Sequence, residues 1–211
     1  EQYVKRLIEV AGDMHVAEYD RSHAKAFIAS YSEYAKTATV RRRLQCISAI
    51  LNYAYYEYDI EKRNPFARVI IKGEGKDSVA RQPFTVAELK QLYSASLSFG
   101  GIRLILPILG ETGCRLSEVL GLSKYDIHRE GDYYVLHIHE NRCRGLKTTG
   151  SDRQIPLVSS YAVTALERLL ADTHTDYLFP TYAYDGLIRN LTASATLAKY
   201  LKGNFEGKTA H

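Results

Sequence analysis

The sequence predicts a mainly α-helical protein with a small antiparallel β-sheet, divided into two domains. Three observations carry this prediction. Residues 1–71 show apolar side chains at helical spacing, residues 73–83 contain two glycines, a proline and several charges, and the period changes from helical to alternating near residue 132. We therefore predict a helical domain at 1–72, a linker at 73–83 and a second domain at 84–211.

In the first domain, a helix of several turns is predicted over 37–60. Its apolar side chains recur at steps of three and four and would form one buried face: Val40, Leu44, Ile47, Leu51, Ala54 and Tyr58. Pro65 disfavours helical backbone at Asn64, so the helix should end by this point. Three consecutive arginines lie in the first turns of this helix, and they would form either a solvated face or contacts to phosphate: Arg41, Arg42 and Arg43.

The second domain begins with a capping box, Thr85 as the N-cap and Glu88 three residues later, which predicts a helix to about residue 96. A buried helix should follow over 102–110, irregular at Pro107 because proline lacks the backbone donor. A third helix is predicted to begin at Arg115.

The sheet is predicted from two segments of the second domain. "DYYVLHIHE" (132–140) alternates and is rich in β-branched and aromatic residues, and "RQIPLV" (153–158) would be the returning strand. A basic segment punctuated by glycine, 141–152, joins them. Two further helices are predicted, the second with Asp185 as its N-cap: 160–172 and 185–202.

Composition limits the function classes. The net charge of +4 permits nucleic acid as a partner without requiring it. The three cysteines, Cys46, Cys114 and Cys143, are odd in number and far apart. This argues against a disulfide framework or a cysteine zinc site and favours a reducing cytoplasm. No apolar run approaches the roughly 18 residues of a membrane span, so no membrane partner is expected.

Two histidines, His137 and His139, alternate on one face of the predicted strand. Imidazole is a common metal ligand, but no third ligand accompanies the pair. We therefore expect two half-exposed strand residues and no metal site.

Two segments carry residues with possible chemistry. "ETGCRLSEVLGL" (111–122) places Arg115 among apolar residues, and a buried arginine is rare unless it is paired. Glu118, three residues on, can share a helix face with it, so the pair could be purely structural. "LKTTGSDRQIPL" (146–157) places Lys147 in the turn of the predicted hairpin, where lysine usually serves solubility.

Together these segments resemble the tyrosine recombinases, the family of phage integrases and Xer-type resolvases. Segment 111–122 resembles the family's first conserved box, which carries a catalytic arginine, and 146–157 resembles the β-hairpin that carries the catalytic lysine. The terminal "KTAH" resembles the start of the second box, His-x-x-Arg. The resemblance covers essentially the whole chain. It implies a helical core-binding (SAM-like) domain followed by an α+β catalytic domain that is truncated at its C-terminal end.

The resemblance implies a site-specific recombinase, a phage or mobile-element integrase. Such an enzyme cuts and rejoins double-stranded DNA through a 3′-phosphotyrosyl intermediate, without a metal or other cofactor. Arg115 would bind the scissile phosphate, Lys147 would protonate the leaving 5′-oxygen as general acid, and His211 would assist proton transfer. Glu118 would support the local structure. The candidate DNA-binding residues are Arg41, Arg42 and Arg43.

The family's second arginine would stand three residues after His211, and a third-box residue and the nucleophilic tyrosine would lie further on. The sequence is therefore expected to be an inactive piece of a longer enzyme. The intact enzyme would form a tetramer on DNA, whereas this piece would be a monomer, in the cytoplasm of a bacterium or a phage-infected host. Two alternatives stay open: a non-catalytic integrase remnant that binds DNA as a regulator or decoy, and a type IB topoisomerase-like enzyme.

Overall fold

The structure is a computed structural model, and it describes residues 1–146, 148–205 and 207–209, with the backbone alone at residue 149. The chain separates into two compact units, Glu1–Ala80 and Arg81–His211. The division falls within the segment predicted as a linker. Of the helices in the described part of the chain, none combines the length and the apolar character needed to cross a membrane.

The first unit contains three helices: α1 (Gln2–Ala11), α2 (Arg21–Ser32) and α3 (Thr37–Glu57). Their core is built around fully buried side chains of α2 and α3, among them Phe27 and Ile47. The predicted apolar face of α3 is buried as expected, with one exception. Tyr58 is 73% exposed. The helix ends at Glu57, one residue before Tyr58 and well before Pro65. Tyr58 therefore lies outside the helix and does not share its buried face.

The second unit contains five α-helices in its described residues: α4 (Val86–Phe99), α5 (Ile105–Thr112), α6 (Leu116–Leu120), α7 (Ser160–Asp172) and α8 (Asn190–Asn204). The capping box of α4 is confirmed, since the Thr85 hydroxyl accepts from the amide of Glu88 and the Glu88 carboxylate accepts from the amide of Thr85. The irregularity predicted at Pro107 lies earlier, in a 3₁₀ turn at Gly101–Leu104. Pro107 stands in the first turn of α5, where its missing donor has no intrahelical partner to lose.

The main sheet has three antiparallel strands in the order β1 (Ile127–Glu130), β2 (Tyr133–Ile138) and β3 (Arg153–Leu157). The predicted pairing of β2 with β3 is confirmed, and Ile138 stands opposite Arg153 at the end of that ladder. β1 was not predicted. The two-residue turn Gly131-Asp132 that joins it to β2 is a recognised hairpin signal.

The expectation that Asp185 caps the last helix is wrong. Ala183–Tyr184 (β4) and Leu187–Ile188 (β5) form a small hairpin, and Asp185 and Gly186 are its turn, with φ of 48° and 76°. An Asp-Gly pair with positive φ at both positions matches the right-handed twist of the two strands. The helix α8 therefore begins only at Asn190.

Candidate active site

The position of Arg115 depends on a turn between two helices. Gly113 ends α5 in the left-handed conformation, with φ of 62°, which glycine adopts without steric cost. The chain then runs extended through Arg115, the N-cap residue of α6. Arg115 therefore precedes the helix that it was predicted to begin. Its side chain is also 52% exposed rather than buried at the edge of the core.

Glu118 is the centre of the site. Its side chain is only 4% exposed. Oε1 accepts a hydrogen bond of 2.7 Å from Nη1 of Arg115, and Oε2 accepts one of 2.9 Å from the backbone amide of the same residue. A second guanidinium also reaches this carboxylate, because Nη2 of Arg153 lies 2.9 Å from Oε2. The Arg115–Glu118 pair expected from the sequence is therefore present, but within a three-residue cluster.

The charge of this cluster follows from the state of the Glu118 carboxyl. Burial opposes its ionisation, but the hydrogen bonds donated by Arg153 and Arg115 outweigh burial and hold the pKa of Glu118 below its usual value. One carboxylate and two guanidinium groups then carry a net positive charge. The cluster can attract an anion even though its only acid is ionised.

Arg115 keeps hydrogen-bonding capacity for such an anion. Within the described part of the chain, its Nε and Nη2 donate to no protein group. A guanidinium that is held through one nitrogen and half exposed can present its other donors to two oxygens of a phosphate. This arrangement suits the binding of a phosphodiester.

Arg153 was not singled out from the sequence, although the strand pattern contains a signal for it. Alternate residues of β3 turn toward the interior, and Arg153 shares that register with Ile155 and Leu157. An arginine at an inward position of a strand requires a buried partner. The partner here is Glu118, and only the structure could identify it.

Arg144 is the buried arginine of this molecule, with 1% of its side chain exposed. Its Nη1 donates to the backbone carbonyl of Glu118 at 3.0 Å, its Nε to the carbonyl of His139 at 2.7 Å, and its Nη2 lies 3.3 Å from the buried carboxylate of Asp126. Burial lowers the pKa of Arg144 and the Asp126 charge opposes this effect. Sequence reasoning missed Arg144, because it lies in a polar segment without periodicity.

The two histidines of the predicted strand are each bound to an aspartate. Nε2 of His137 lies 3.0 Å from Asp152, and Nε2 of His139 lies 2.8 Å from Asp126. The two side chains are 34% and 33% exposed. Among the described residues, no group of three or more possible metal ligands is assembled.

Two of the predicted catalytic residues, Lys147 and His211, lie outside the described residues. The neighbouring segment is described, and Ser151 accepts through its carbonyl a bond of 2.8 Å from Nη1 of Arg153. This bond links the end of the predicted lysine hairpin to the residue that holds Glu118.

The three arginines of α3 do not form one patch. Arg41 is bound to Glu74, with Nη2 and Oε2 2.6 Å apart, and to the carbonyl of Val69. The guanidinium of Arg43 lies over the ring of Tyr31, 4.2 Å from its centroid. Arg42 is exposed. Successive residues of a helix point about 100° apart, so the three consecutive side chains meet different surroundings.

No protein-family model and no curated protein matches this sequence. Solved structures do match. An integrase of the transposon Tn1549, in complex with transposon right end DNA, aligns with a TM-score of 0.72 and 21% identity over 100% of this chain and 75% of that one. A lambda integrase dimer bound to a COC′ core site aligns with a TM-score of 0.70 and 20% identity over 100% and 59%. The XerH site-specific recombinase bound to its palindromic substrate aligns with a TM-score of 0.64 and 16% identity over 99% and 64%.

The chain has the fold of the tyrosine recombinases. The resemblance carried by the two sequence motifs is thus confirmed at the level of the fold, as is the prediction of a mainly helical protein with a small antiparallel sheet. At sequence identities of 16–21%, this similarity shows a shared fold and not a shared activity.

Proposed function

We propose that this chain belongs to a site-specific DNA recombinase, a phage or mobile-element integrase, that cuts and rejoins double-stranded DNA. The observation that carries the proposal is the state of Arg115. A buried carboxylate orients its guanidinium, yet the side chain is 52% exposed. This residue stands on a fold shared with integrases whose structures are complexes with DNA.

The proposed reaction needs a nucleophile, which we place beyond His211 as a tyrosine hydroxyl. Its oxygen attacks the scissile phosphorus, the bond from phosphorus to the 5′-oxygen breaks, and a 3′-phosphotyrosyl link forms. The tyrosine proton leaves with the help of His211, and Lys147 gives a proton to the departing 5′-oxygen. The reverse steps on a new 5′-hydroxyl rejoin the strands. The phosphodiester is conserved in the enzyme link, so the reaction requires no nucleotide hydrolysis.

Arg115 acts on the charge that develops in this reaction. In the transition state, negative charge increases on the non-bridging oxygens of the phosphate. Guanidinium donors that are already held in place stabilise that charge without reorganising during the reaction, and such stabilisation is usually a large part of enzymatic rate enhancement. In this proposal arginine and lysine provide all the positive charge, and no metal or cofactor is assigned.

The first unit is proposed as a core-type DNA-binding domain. Arg42 is its first candidate for a phosphate contact, because Arg41 and Arg43 are already engaged within the unit. Contacts of this kind give affinity and salt dependence and carry little sequence information. The intact enzyme would act as a tetramer on DNA, and the 211 residues alone would be a monomer without strand-exchange activity.

The first test is to sequence the gene beyond the codon for His211. The proposal expects two residues and then an arginine, with a histidine or tryptophan and a tyrosine further on. A stop codon, or a continuation without the arginine and the tyrosine, would reduce the protein to a DNA-binding remnant and exclude catalysis.

The second test uses the full-length protein with a duplex that spans the junction of its mobile element and carries a nick near the cleavage point. Cleavage then releases a short strand with a 5′-hydroxyl, which diffuses away, so the cut cannot be rejoined. A covalent protein–DNA adduct should therefore accumulate and be visible on denaturing gels. Binding without an adduct would favour the regulator or decoy. Relaxation of supercoiled DNA without preference for the junction would favour the topoisomerase-like enzyme.

A further inference from the structure

We infer that Arg153 is a positioning residue. Arg153 donates a hydrogen bond to the Glu118 carboxylate. As a result, this carboxylate binds the Arg115 guanidinium through one nitrogen, which orients it, and not through two. The expected effect of Arg153 on DNA cleavage rests on the proposed function. The sequence motifs assign roles to Arg115 and Glu118 but none to Arg153.

The contacts of Arg153 join two segments. Its Nη2 reaches Oε2 of Glu118 at 2.9 Å and the thiol sulfur of Cys114 at 3.3 Å. Its Nη1 donates to the carbonyl of Ser151 at 2.8 Å. One end of the guanidinium therefore holds the turn before α6, and the other holds the end of the hairpin segment. A rigid planar group with several donors can connect the two in a way that lysine cannot.

Arg115 and Arg153 compete as hydrogen-bond donors to the Glu118 carboxylate. A carboxylate and a guanidinium prefer two parallel hydrogen bonds when both oxygens are available. Here Oε1 binds Arg115 Nη1, while Oε2 is already engaged by Arg153 and by the Arg115 backbone amide. A second, parallel bond from the Arg115 side chain to Oε2 would have to displace one of these donors. The remaining donors of Arg115 are thereby kept for an anion.

Burial makes this competition strong. Glu118 is 4% exposed, so its charge is poorly solvated and must be compensated by nearby cations. Arg144 contacts Glu118 only through the backbone carbonyl. Among the described residues, the carboxylate therefore has two guanidinium partners, Arg115 and Arg153. If Arg153 is lost, Arg115 becomes, among the described residues, the one guanidinium that donates to this buried carboxylate, and it should turn toward Glu118.

The test uses the full-length protein with Arg153→Ala and Arg153→Lys, and Arg129→Ala as the matched control, since Arg129 is an exposed arginine of the same sheet. Single-turnover cleavage of the nicked duplex, DNA affinity and the ¹⁵N NMR signals of the Arg115 side chain are measured for each. For Arg153→Ala we expect cleavage to fall about 10- to 100-fold, as for other residues that orient a reacting group. The DNA dissociation constant should stay within about twofold.

The NMR signals separate a positioning role from a merely structural one. In Arg153→Ala the Arg115 Nε and Nη resonances should shift, and they should respond less to added DNA, because both ends of the guanidinium are then bound to Glu118. Arg153→Lys supplies a charge but one donor group, so it should recover cleavage only in part. It also serves as the folded variant if the alanine substitution unfolds the chain. Arg129→Ala should match the wild type in every measurement.

The outcomes distinguish this inference from the proposed function. If the wild type cleaves DNA and an Arg153 variant cleaves equally fast with unchanged Arg115 signals, the inference is overturned and the recombinase stands. If the wild type forms no adduct but the Arg115 signals shift as described, the recombinase proposal fails and the positioning by Arg153 is upheld. Unchanged signals in an inactive protein would overturn both.

Discussion

Nη2 of Arg153 lies 2.9 Å from Oε2 of Glu118, although the two residues are 35 positions apart in the sequence. This bond joins the segment around Arg115 to the strand that follows the predicted lysine hairpin. Arg144, from the same segment as the hairpin, holds the backbone of Glu118. The candidate active site is therefore built on one buried carboxylate that two arginines of the sheet region fix in place.

Replacement of Arg115 tests its role at the phosphate. In the full-length protein, Arg115→Ala should reduce covalent DNA-adduct formation by at least about 100-fold, because a fixed donor to the developing charge is lost. DNA affinity should stay within a few-fold, since many other contacts to the backbone remain. Adduct formation is followed on denaturing gels and affinity by titration. Full cleavage by Arg115→Ala, alongside an active Arg129→Ala control, would exclude the catalytic role.

Glu118 should make stability depend on pH in the acid range. Its pKa in the folded chain lies below its ordinary value of 4.5. The unfolded chain therefore takes up the proton first, and the stabilisation by ionised Glu118 is complete above that value and is lost as pH falls through the folded pKa. In Glu118→Gln, the free energy of unfolding should be lower near neutral pH by about 2 kcal/mol and should fall less steeply with acid. Urea denaturation from pH 7 to pH 3 measures both.

The matched control for this pH series is Glu167→Gln, which changes an exposed glutamate of α7. It should keep the acid dependence of the wild type. Equal slopes for the wild type and Glu118→Gln would mean that the carboxyl of Glu118 has the same pKa in the folded and unfolded chains. The cluster would then not depend on its ionisation.

Replacement of Arg144 should mainly lower the stability of the folded chain. Arg144→Met keeps most of the side-chain volume but leaves the Asp126 carboxylate buried without its cation, so we expect a loss of about 3–5 kcal/mol in unfolding free energy. The double variant with Asp126→Asn should recover part of this loss, because no uncompensated charge remains. Chemical denaturation of these variants is compared with that of Arg142→Ala, which removes an exposed arginine two residues away. A change below about 1 kcal/mol in Arg144→Met would contradict the buried pair.

The arginines of α3 should differ in what they do. Arg42→Ala should weaken DNA binding at every sequence and reduce the slope of log affinity against log salt by about 0.9, the value for one lost phosphate contact. Arg41→Ala should instead lower the stability of the first unit by about 1 kcal/mol, because it removes the partly exposed pair with Glu74. Salt-dependent titrations and thermal unfolding separate the two effects. An unchanged salt slope in Arg42→Ala would remove Arg42 from the DNA interface.

The sequence by itself determined the helices with a clear period and the sheet that pairs β2 with β3. These features depend on neighbours within a few residues, such as the apolar face of α3 or the capping box of Thr85 and Glu88. The Arg115–Glu118 pair was predictable for the same reason, since the two lie three residues apart. The expected cap at Asp185 failed because a hairpin turn competes for the same Asp-Gly signal.

Tertiary structure alone decided which distant groups meet at the Glu118 carboxylate. Arg153 and Arg144 come from segments far from Glu118 in the sequence, and nothing local specifies their partners. It also decided the exposure of Arg115, whose side chain at the N-cap of α6 remains 52% exposed. The spacing of apolar residues indicates which face of its own helix or strand a residue occupies. The pairing of a buried charge depends on packing between elements, which no local pattern encodes.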